Sequence, residues 1–100
     1  MIIIATMTVK KSKLDAFREY ERHAAAVMKT HGGRIERAIV VAMDDSPDLL
    51  KEVHIVTFPD EAAFAAYRLD ESIEAVAYLR DESVLQTEIL IGADGPSYGP

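Results

Sequence analysis

The sequence of 100 residues contains no cysteine and no tryptophan, and it has no excess of basic residues. The absence of cysteine excludes disulfides, cysteine-ligated zinc, iron–sulfur clusters and thiol nucleophiles. Lysine and arginine number 11 against 17 acidic residues, which gives a formal net charge of -6. An acidic chain lacks the basic surface that displaces counterions from nucleic acids or binds anionic membranes. We therefore expect neither a nucleic acid nor a membrane as a partner.

The sequence also lacks an apolar run long enough to cross a membrane. Its first nine residues are apolar but carry no basic flank of the kind that precedes a signal sequence. The expected location is therefore the cytoplasm. Hydrophobic residues make up 49% of the chain and charged residues 28%, a composition typical of one folded globular domain.

Apolar periodicity and turn signals predict the element order β-α-β-β-α-β. A strand at 2–9 precedes a helix that begins after Ser12, where a hydroxyl and the nearby Asp15 form a helix-start signature. The glycines of His31-Gly32-Gly33 end that helix. The remaining elements are strands at 34–43 and 52–58, a helix opened by Pro59, a short further helix after Ser72, and a strand at 84–91. We predict a ferredoxin-like α+β domain at residues 1–92, with a four-stranded antiparallel sheet, and an irregular tail at 93–100.

This order places both helices on one face of the sheet, because both crossovers are right-handed. The other face is apolar whichever set of alternate residues points to it. One set on the third strand contains Val53 and Ile55, and the other contains Val56 and Phe58. Soluble monomers rarely expose a patch of roughly several hundred Å² of this kind. A second copy of the chain is the simplest cover, so we expect a homodimer joined sheet to sheet.

Several local features carry a family resemblance. They are the segment Phe58-Pro59-Asp60-Glu61-Ala62-Ala63-Phe64, the following Tyr67, Arg80 before the last strand, and Thr87-Glu88-Ile89-Leu90-Ile91-Gly92. With the element order, they resemble the dimeric α+β barrel superfamily, and within it a small uncharacterised bacterial family related to antibiotic-biosynthesis monooxygenases. The resemblance implies a barrel-forming dimer with a pocket in its lumen or between sheet and helices. It fixes no reaction, because the superfamily hosts oxygenases, isomerases, haem enzymes and proteins without known chemistry.

Two residues are the candidate catalytic pair. His54 lies among apolar residues in the third strand, where an imidazole can act as a general base near neutral pH. Glu88 in the last strand needs a partner if it is buried. The alternatives are a structural histidine hydrogen-bonded across the dimer and a glutamate that reaches water at a sheet edge. If both side chains share a face, two strand spacings separate them, which suits a bridging ligand or water.

The predicted substrate-binding residues surround this pair. Arg37 offers a planar donor to a substrate oxygen, with a solvated edge charge as its alternative. Tyr67 can present its hydroxyl to a pocket between helix and sheet, although a core aromatic is the competing interpretation. Thr6 lies between the histidine and the glutamate if the three share a face, and Phe58 completes the set. No metal-ligand pattern, phosphate loop or nucleophile motif occurs, so we predict no metal and no cofactor.

These residues lead to two hypotheses from different classes. The first is a small-molecule-binding dimer, whose catalytic form is a cofactor-independent oxygenase or isomerase for a small apolar, aromatic or keto-enol substrate. In it His54 is the acid or base, Glu88 orients it, and Arg37 binds a substrate oxygen. The second is a non-catalytic ligand-binding or structural dimerisation module. A haem-binding relative is a third possibility, and it requires an axial histidine over an open cavity.

Overall fold

A computed structural model describes all 100 residues. Its centre is one antiparallel sheet in the strand order β2-β3-β1-β4. The strands are β1 (Ile2–Lys10), β2 (Arg34–Ala42), β3 (Leu49–Thr57) and β4 (Val84–Gly92). The helices are α1 (Leu14–Thr30), α2 (Glu61–Arg68), α3 (Glu71–Glu74) and α4 (Ala77–Ser83), and a 3₁₀ turn at Lys11–Lys13 precedes α1. The ferredoxin-like element order predicted from the sequence is confirmed.

The two faces of the sheet differ in cover. Residues directly opposite each other in neighbouring strands point to the same face, as Ala5 does with His54 and with Ile89. The helices cover the face that includes Ile3, Met7 and Val56, and we call it the helix side. No helix covers the other face, which we call the open face. It consists of Ile2, Ile4, Thr6 and Thr8 of β1, Arg37, Ile39 and Val41 of β2, Lys51, Val53 and Ile55 of β3, and Gln86, Glu88 and Leu90 of β4.

The first helix packs on the sheet through Phe17, Tyr20, Ala24 and Met28, which recur at helical spacing and are all buried. Its start differs from the sequence prediction. Ser12 lies inside the 3₁₀ turn, and no side chain caps the first turn of α1. The extra turn lets the chain reverse direction directly after β1. Ser12 therefore lies one residue before Lys13, the N-cap position of α1, and its hydroxyl does not cap the helix.

The end of the first helix follows the sequence prediction. Gly32 has a φ of 77°, the left-handed conformation that glycine adopts at low cost, and the amide of Gly33 donates to the carbonyl of Met28. Beside this turn, Nε2 of His31 lies 2.7 Å from Oδ2 of Asp70. The other carboxylate oxygen of Asp70 accepts a hydrogen bond of 2.8 Å from the amide of Ser72 and caps α3. The end of α1 is thereby joined to the start of α3.

The open face is strongly apolar. Leu90 is 65% exposed, Val41 42% and Ile39 37%, and Val53 and Ile55 lie between them in the middle of the face. Residues 93–100 form no helix or strand and are exposed. No helix of the structure is both long and apolar enough for a membrane crossing.

Candidate functional site

A cavity of about 260 Å³ lies between the helix side of the sheet and the helices. Of the 16 residues that line it, 11 are hydrophobic, so its walls are mainly apolar. The other five are Glu21 of α1, His54 of β3, Arg68 of α2, Arg80 of α4 and Thr87 of β4. Two of the hydrophobic residues, Tyr20 of α1 and Tyr67 of α2, add hydroxyl groups to the wall. A mainly apolar cleft with a few converging polar groups is the usual form of a small-molecule site.

His54 is fixed in the wall of this cavity by a buried ionic network. Its side chain is 4% exposed, and its Nε2 lies 2.6 Å from Oε2 of Glu52, whose side chain is 2% exposed. The other carboxylate oxygen of Glu52 accepts a hydrogen bond from the guanidinium of Arg18. A carboxylate held by arginine is an acceptor only, so Nε2 of His54 carries the proton in this bond. The lone pair of neutral His54 is therefore on Nδ1.

Glu21 lies on the other side of the same imidazole. Its Oε2 is 3.5 Å from Nδ1 of His54, and its side chain is 14% exposed. Burial raises the pKa of Glu21 from 4.5 to about 7; the charge of His54 opposes this rise, Glu52 adds to it and Arg18 opposes it. A carboxyl with this pKa exchanges its proton near neutral pH, which is the range in which acid–base catalysis is most effective. The imidazole and Glu21 thus form a pair of adjacent acid–base groups at the cavity wall.

Two tyrosines and an arginine extend the polar part of the wall. Burial raises the pKa of Tyr20, and the positive charge of Arg80 opposes that rise. Burial also raises the pKa of Tyr67, with the charges of Tyr20 and Glu21 adding to the effect and Arg80 opposing it. Both phenols therefore stay protonated at neutral pH and can donate hydrogen bonds to a ligand oxygen.

The structure brings only two of the predicted site residues together. His54 and Tyr67 both line the cavity. Glu88 lies on the open face, opposite Thr6 and exposed, with Nε2 of Gln86 3.4 Å from its Oε1. The expectation that Glu88 orients His54 is therefore corrected, because the sheet itself separates the two side chains. Thr6 is on the face of Glu88 and not between the pair.

Arg37 and Phe58 are also away from the cavity. Arg37 follows a β-bulge in β2 and pairs with Ile55, so it lies exposed on the open face and cannot bind a substrate oxygen beside His54. Phe58 is a core residue: its ring lies 5.3 Å from that of Phe64 and 5.4 Å from that of Tyr67. It supports the cavity wall from behind and does not line it.

Two carboxylates that contact His54, those of Glu52 and Glu21, were not predicted from the sequence. Each had a signal. Glu52 and His54 are two residues apart in a strand and therefore share a face, so a buried histidine implies a buried carboxylate beside it. Glu21 belongs to the stripe of Phe17, Glu21 and Ala24 along the buried side of α1. A carboxylate in such a stripe requires a partner or a shifted pKa.

The cavity contains no recognisable metal centre. No group of three or more histidine and acidic side chains is arranged to hold a metal ion. Both ring nitrogens of His54 face carboxylates, which leaves neither of them directed at an axial position over the cavity. The arrangement suits proton transfer better than iron ligation.

No protein-family model and no curated protein matches the chain. Solved structures match its fold over almost the full length. An antibiotic biosynthesis monooxygenase superposes with a TM-score of 0.65 at 15% identity, covering 96% of this chain and 100% of the other. SnoaB, a cofactor-independent oxygenase from Streptomyces nogalater, gives 0.63 at 10% identity and covers 94% of each chain. A protein of unknown function from Rhodopseudomonas palustris gives 0.76 at 18% identity, covering 95% of this chain and 83% of the other.

These similarities confirm the predicted likeness to the fold of the antibiotic-biosynthesis monooxygenases. At such identities they show the fold alone, so the chemistry must be argued from the cavity.

Proposed function

We propose that this protein binds a small apolar, aromatic or keto-enol molecule between its sheet and helices and removes a proton from it without a cofactor. The observation that carries the proposal is the Glu21–His54 pair in the wall of a mainly apolar cavity of about 260 Å³. Apolar walls desolvate a ligand, and a carboxyl of pKa about 7 accepts a proton at neutral pH. The cavity volume of about 260 Å³ lies just below the roughly 300–1,000 Å³ of pockets for drug-sized ligands, so it suits a smaller molecule of one or two rings.

The geometry assigns a role to each member of the network. Ionised Glu21 accepts the proton from an acidic C–H or O–H of the ligand. Nδ1 of His54 can then take that proton from Glu21, and the resulting imidazolium is stabilised by Glu52 on its opposite nitrogen. Glu52 and Arg18 touch no ligand, and they act as positioning residues that hold the imidazole in one tautomer and orientation.

Two reactions follow from the same proton abstraction. In an isomerisation, the proton returns to a different carbon of the enolate, and nothing else is consumed. In an oxygenation, the carbanion reacts with O2, and loss of water from the peroxide leaves a ketone, so that CH2 and O2 give C=O and H2O. Here O2 is the oxidant, and one of its oxygen atoms enters the product while the other leaves as water. The solved structure of SnoaB shows that this fold can house a cofactor-independent oxygenase.

We also propose that the chain works as a homodimer joined through the open face. Support comes from the exposed apolar side chains of Ile39, Val41 and Leu90, which no part of the protomer covers. Because each protomer contributes one copy of the residue, Ile39→Glu would place two negative charges in the dimer interface. We expect sedimentation at micromolar concentration to show a dimer for the wild type and a protomer for this variant. A wild-type protomer would contradict the dimer.

The proposed chemistry is tested first by hydrogen–deuterium exchange. Aryl ketones and aryl keto acids are screened by thermal shift, and exchange of the C–H next to the carbonyl of the hits is followed by NMR in D2O against a protein-free control. We expect exchange with wild-type protein, and its loss in Glu21→Gln and His54→Ala. Glu19→Gln and His23→Ala are matched controls, because both residues are exposed on α1. Equal exchange rates in Glu21→Gln and wild type would refute the proposal.

A second candidate, a ligand-binding or structural module without catalysis, is favoured by one observation. Every buried side-chain nitrogen and oxygen has a hydrogen-bond partner within the protomer, so the network is complete without a ligand. Binding of hits without any C–H exchange or O2 uptake would support this candidate. A screen without hits would favour the purely structural function.

A further inference from the structure

The cavity is polar at two separate places, and one of them is positively charged. Arg80 and Arg68 line the same space as Glu21 and His54. The ion pair of Arg80, with its chain neighbour Asp81, is long at 3.7 Å, and its side chain is 50% exposed. Arg68 is stacked on Phe64, with its guanidinium carbon 5.3 Å from the ring centroid. Neither guanidinium is held by a close carboxylate, so both can receive one from a ligand.

Arg80 lies where the cavity opens. A second, more polar cleft lies beside α4 and the start of β4, and Arg80 and Thr87 line both spaces. The half-exposed Arg80 is therefore at the mouth. Glu21 and His54, with 14% and 4% of their side chains exposed, are at the inner wall.

The two tyrosines connect the positive and the acidic groups electrostatically. The charge of Arg80 acts on the pKa of both Tyr20 and Tyr67, and so does the charge of Glu21. Both phenols therefore lie within electrostatic reach of Arg80 and of Glu21.

We infer that the substrate is a small planar carboxylic acid, whose carboxylate binds Arg80 at the mouth while its acidic C–H or O–H faces Glu21 and His54. This inference rests on the proposed function and adds the substrate class and the residue that selects it. A guanidinium binds a carboxylate through two parallel hydrogen bonds, which fixes the direction of a planar acid. Tyr20 and Tyr67 lie along its length and can donate to a keto or enol oxygen.

Repulsion enforces the same orientation. A reversed acid would bring its carboxylate against Glu21, which costs binding energy, whereas the proposed orientation keeps the negative charges apart. The chain carries a net charge of -6, so its surface in general repels anions. The arginines at the mouth provide a local exception that directs an anion to the cavity.

Calorimetry with paired probes tests the inference. Phenylpyruvate and 2-naphthoate are compared with their neutral amides on wild-type protein, Arg80→Gln, Arg80→Lys and the control Arg22→Gln, an exposed arginine on α1. We expect each acid to bind wild type at least about tenfold more tightly than its amide. Arg80→Gln should remove that preference by weakening the acid only, and Arg80→Lys should restore part of it. Arg22→Gln should leave it unchanged.

Equal affinity for acid and amide in the wild type, or a preference that survives in Arg80→Gln, would overturn the inference. The exchange experiment separates its failure from that of the proposed function. If acids bind through Arg80 but show no C–H exchange, the catalytic proposal fails and the inference of carboxylate recognition stands. If an acid shows C–H exchange at the same rate in Arg80→Gln as in wild type, the catalytic proposal stands and the inference of carboxylate recognition by Arg80 fails.

Discussion

Glu21 lowers the stability of the folded protein at neutral pH, and Glu21→Gln tests this directly. Burial raises the pKa of Glu21 from 4.5 to about 7 in the folded state. The folded protein therefore holds this proton more tightly than the unfolded chain does. The resulting stabilisation is complete below about pH 4.5, and it is lost as the pH rises through about 7. Glutamine has the shape of the protonated side chain but cannot lose a proton.

The expected size of the effect follows from the two pKa values. A change from 4.5 to about 7 corresponds to a free-energy difference of about 3 kcal/mol between the two protonation states. That is a large fraction of the ~5–15 kcal/mol by which a domain of this kind is usually stable. We expect Glu21→Gln to match the wild type near pH 4 and to be more stable by about 3 kcal/mol near pH 8.

Urea denaturation at a series of pH values measures this difference, provided that the slopes of the transitions agree between the proteins. Glu19→Gln serves as the control, because this acid is exposed on the same helix and should leave the curve of stability against pH unchanged. Parallel curves for Glu21→Gln and wild type would show that the side chain titrates as in the unfolded chain. The assignment of Glu21 as a base near neutral pH would then be withdrawn.

Three further predictions concern the elements around the cavity. Glu52→Leu removes the carboxylate shared by an arginine and the imidazole, and urea denaturation should show a loss of about 3–5 kcal/mol; a loss below about 1 kcal/mol would contradict the buried network. Gly33→Ala places a methyl group inside the ring of Phe58, and thermal unfolding should show destabilisation of about 1–3 kcal/mol, with an unchanged midpoint refuting the close contact. The bond to His31 lowers the pKa of Asp70 below its usual value of 3.8, so Asp70→Asn should destabilise the protein near pH 6 and lose its effect as the pH falls below that usual value, whereas an effect that persists in acid would point to the helix cap alone.

The sequence was sufficient for the fold because the signals for its elements are local. Periodic apolar residues, the glycines after His31 and the proline before α2 define the order and most of the boundaries. The strand order, with β1 between β3 and β4, follows from right-handed crossovers. These rules do not depend on which residues meet across the core.

The site was only partly predictable, because the strands alone do not show which of their alternate residues face the helices. Both alternate sets of β1 are free of charge, so either one can face the helices. The first helix decides which set faces it, because Arg18 and Glu21 on the sheet-facing side of α1 provide partners for Glu52 and His54. Glu52 shares a face with His54 whichever way β3 is turned, but whether Glu88 or Glu21 joins them depends on which face α1 covers.

The placement of charges on β3 also specifies how the strands align. A shift of β3 by one residue would exchange its two faces, sending Glu52 and His54 to the open face and bringing Lys51 under Arg18. Two cations would then meet where a salt bridge now forms, although Val53 and Ile55 would fill the core well enough. Hydrophobic packing alone does not choose between the two alignments, and the ionic contact does. The loop at 43–48 should therefore tolerate insertions that preserve this match, and a transplanted site would need α1 and β3 moved together.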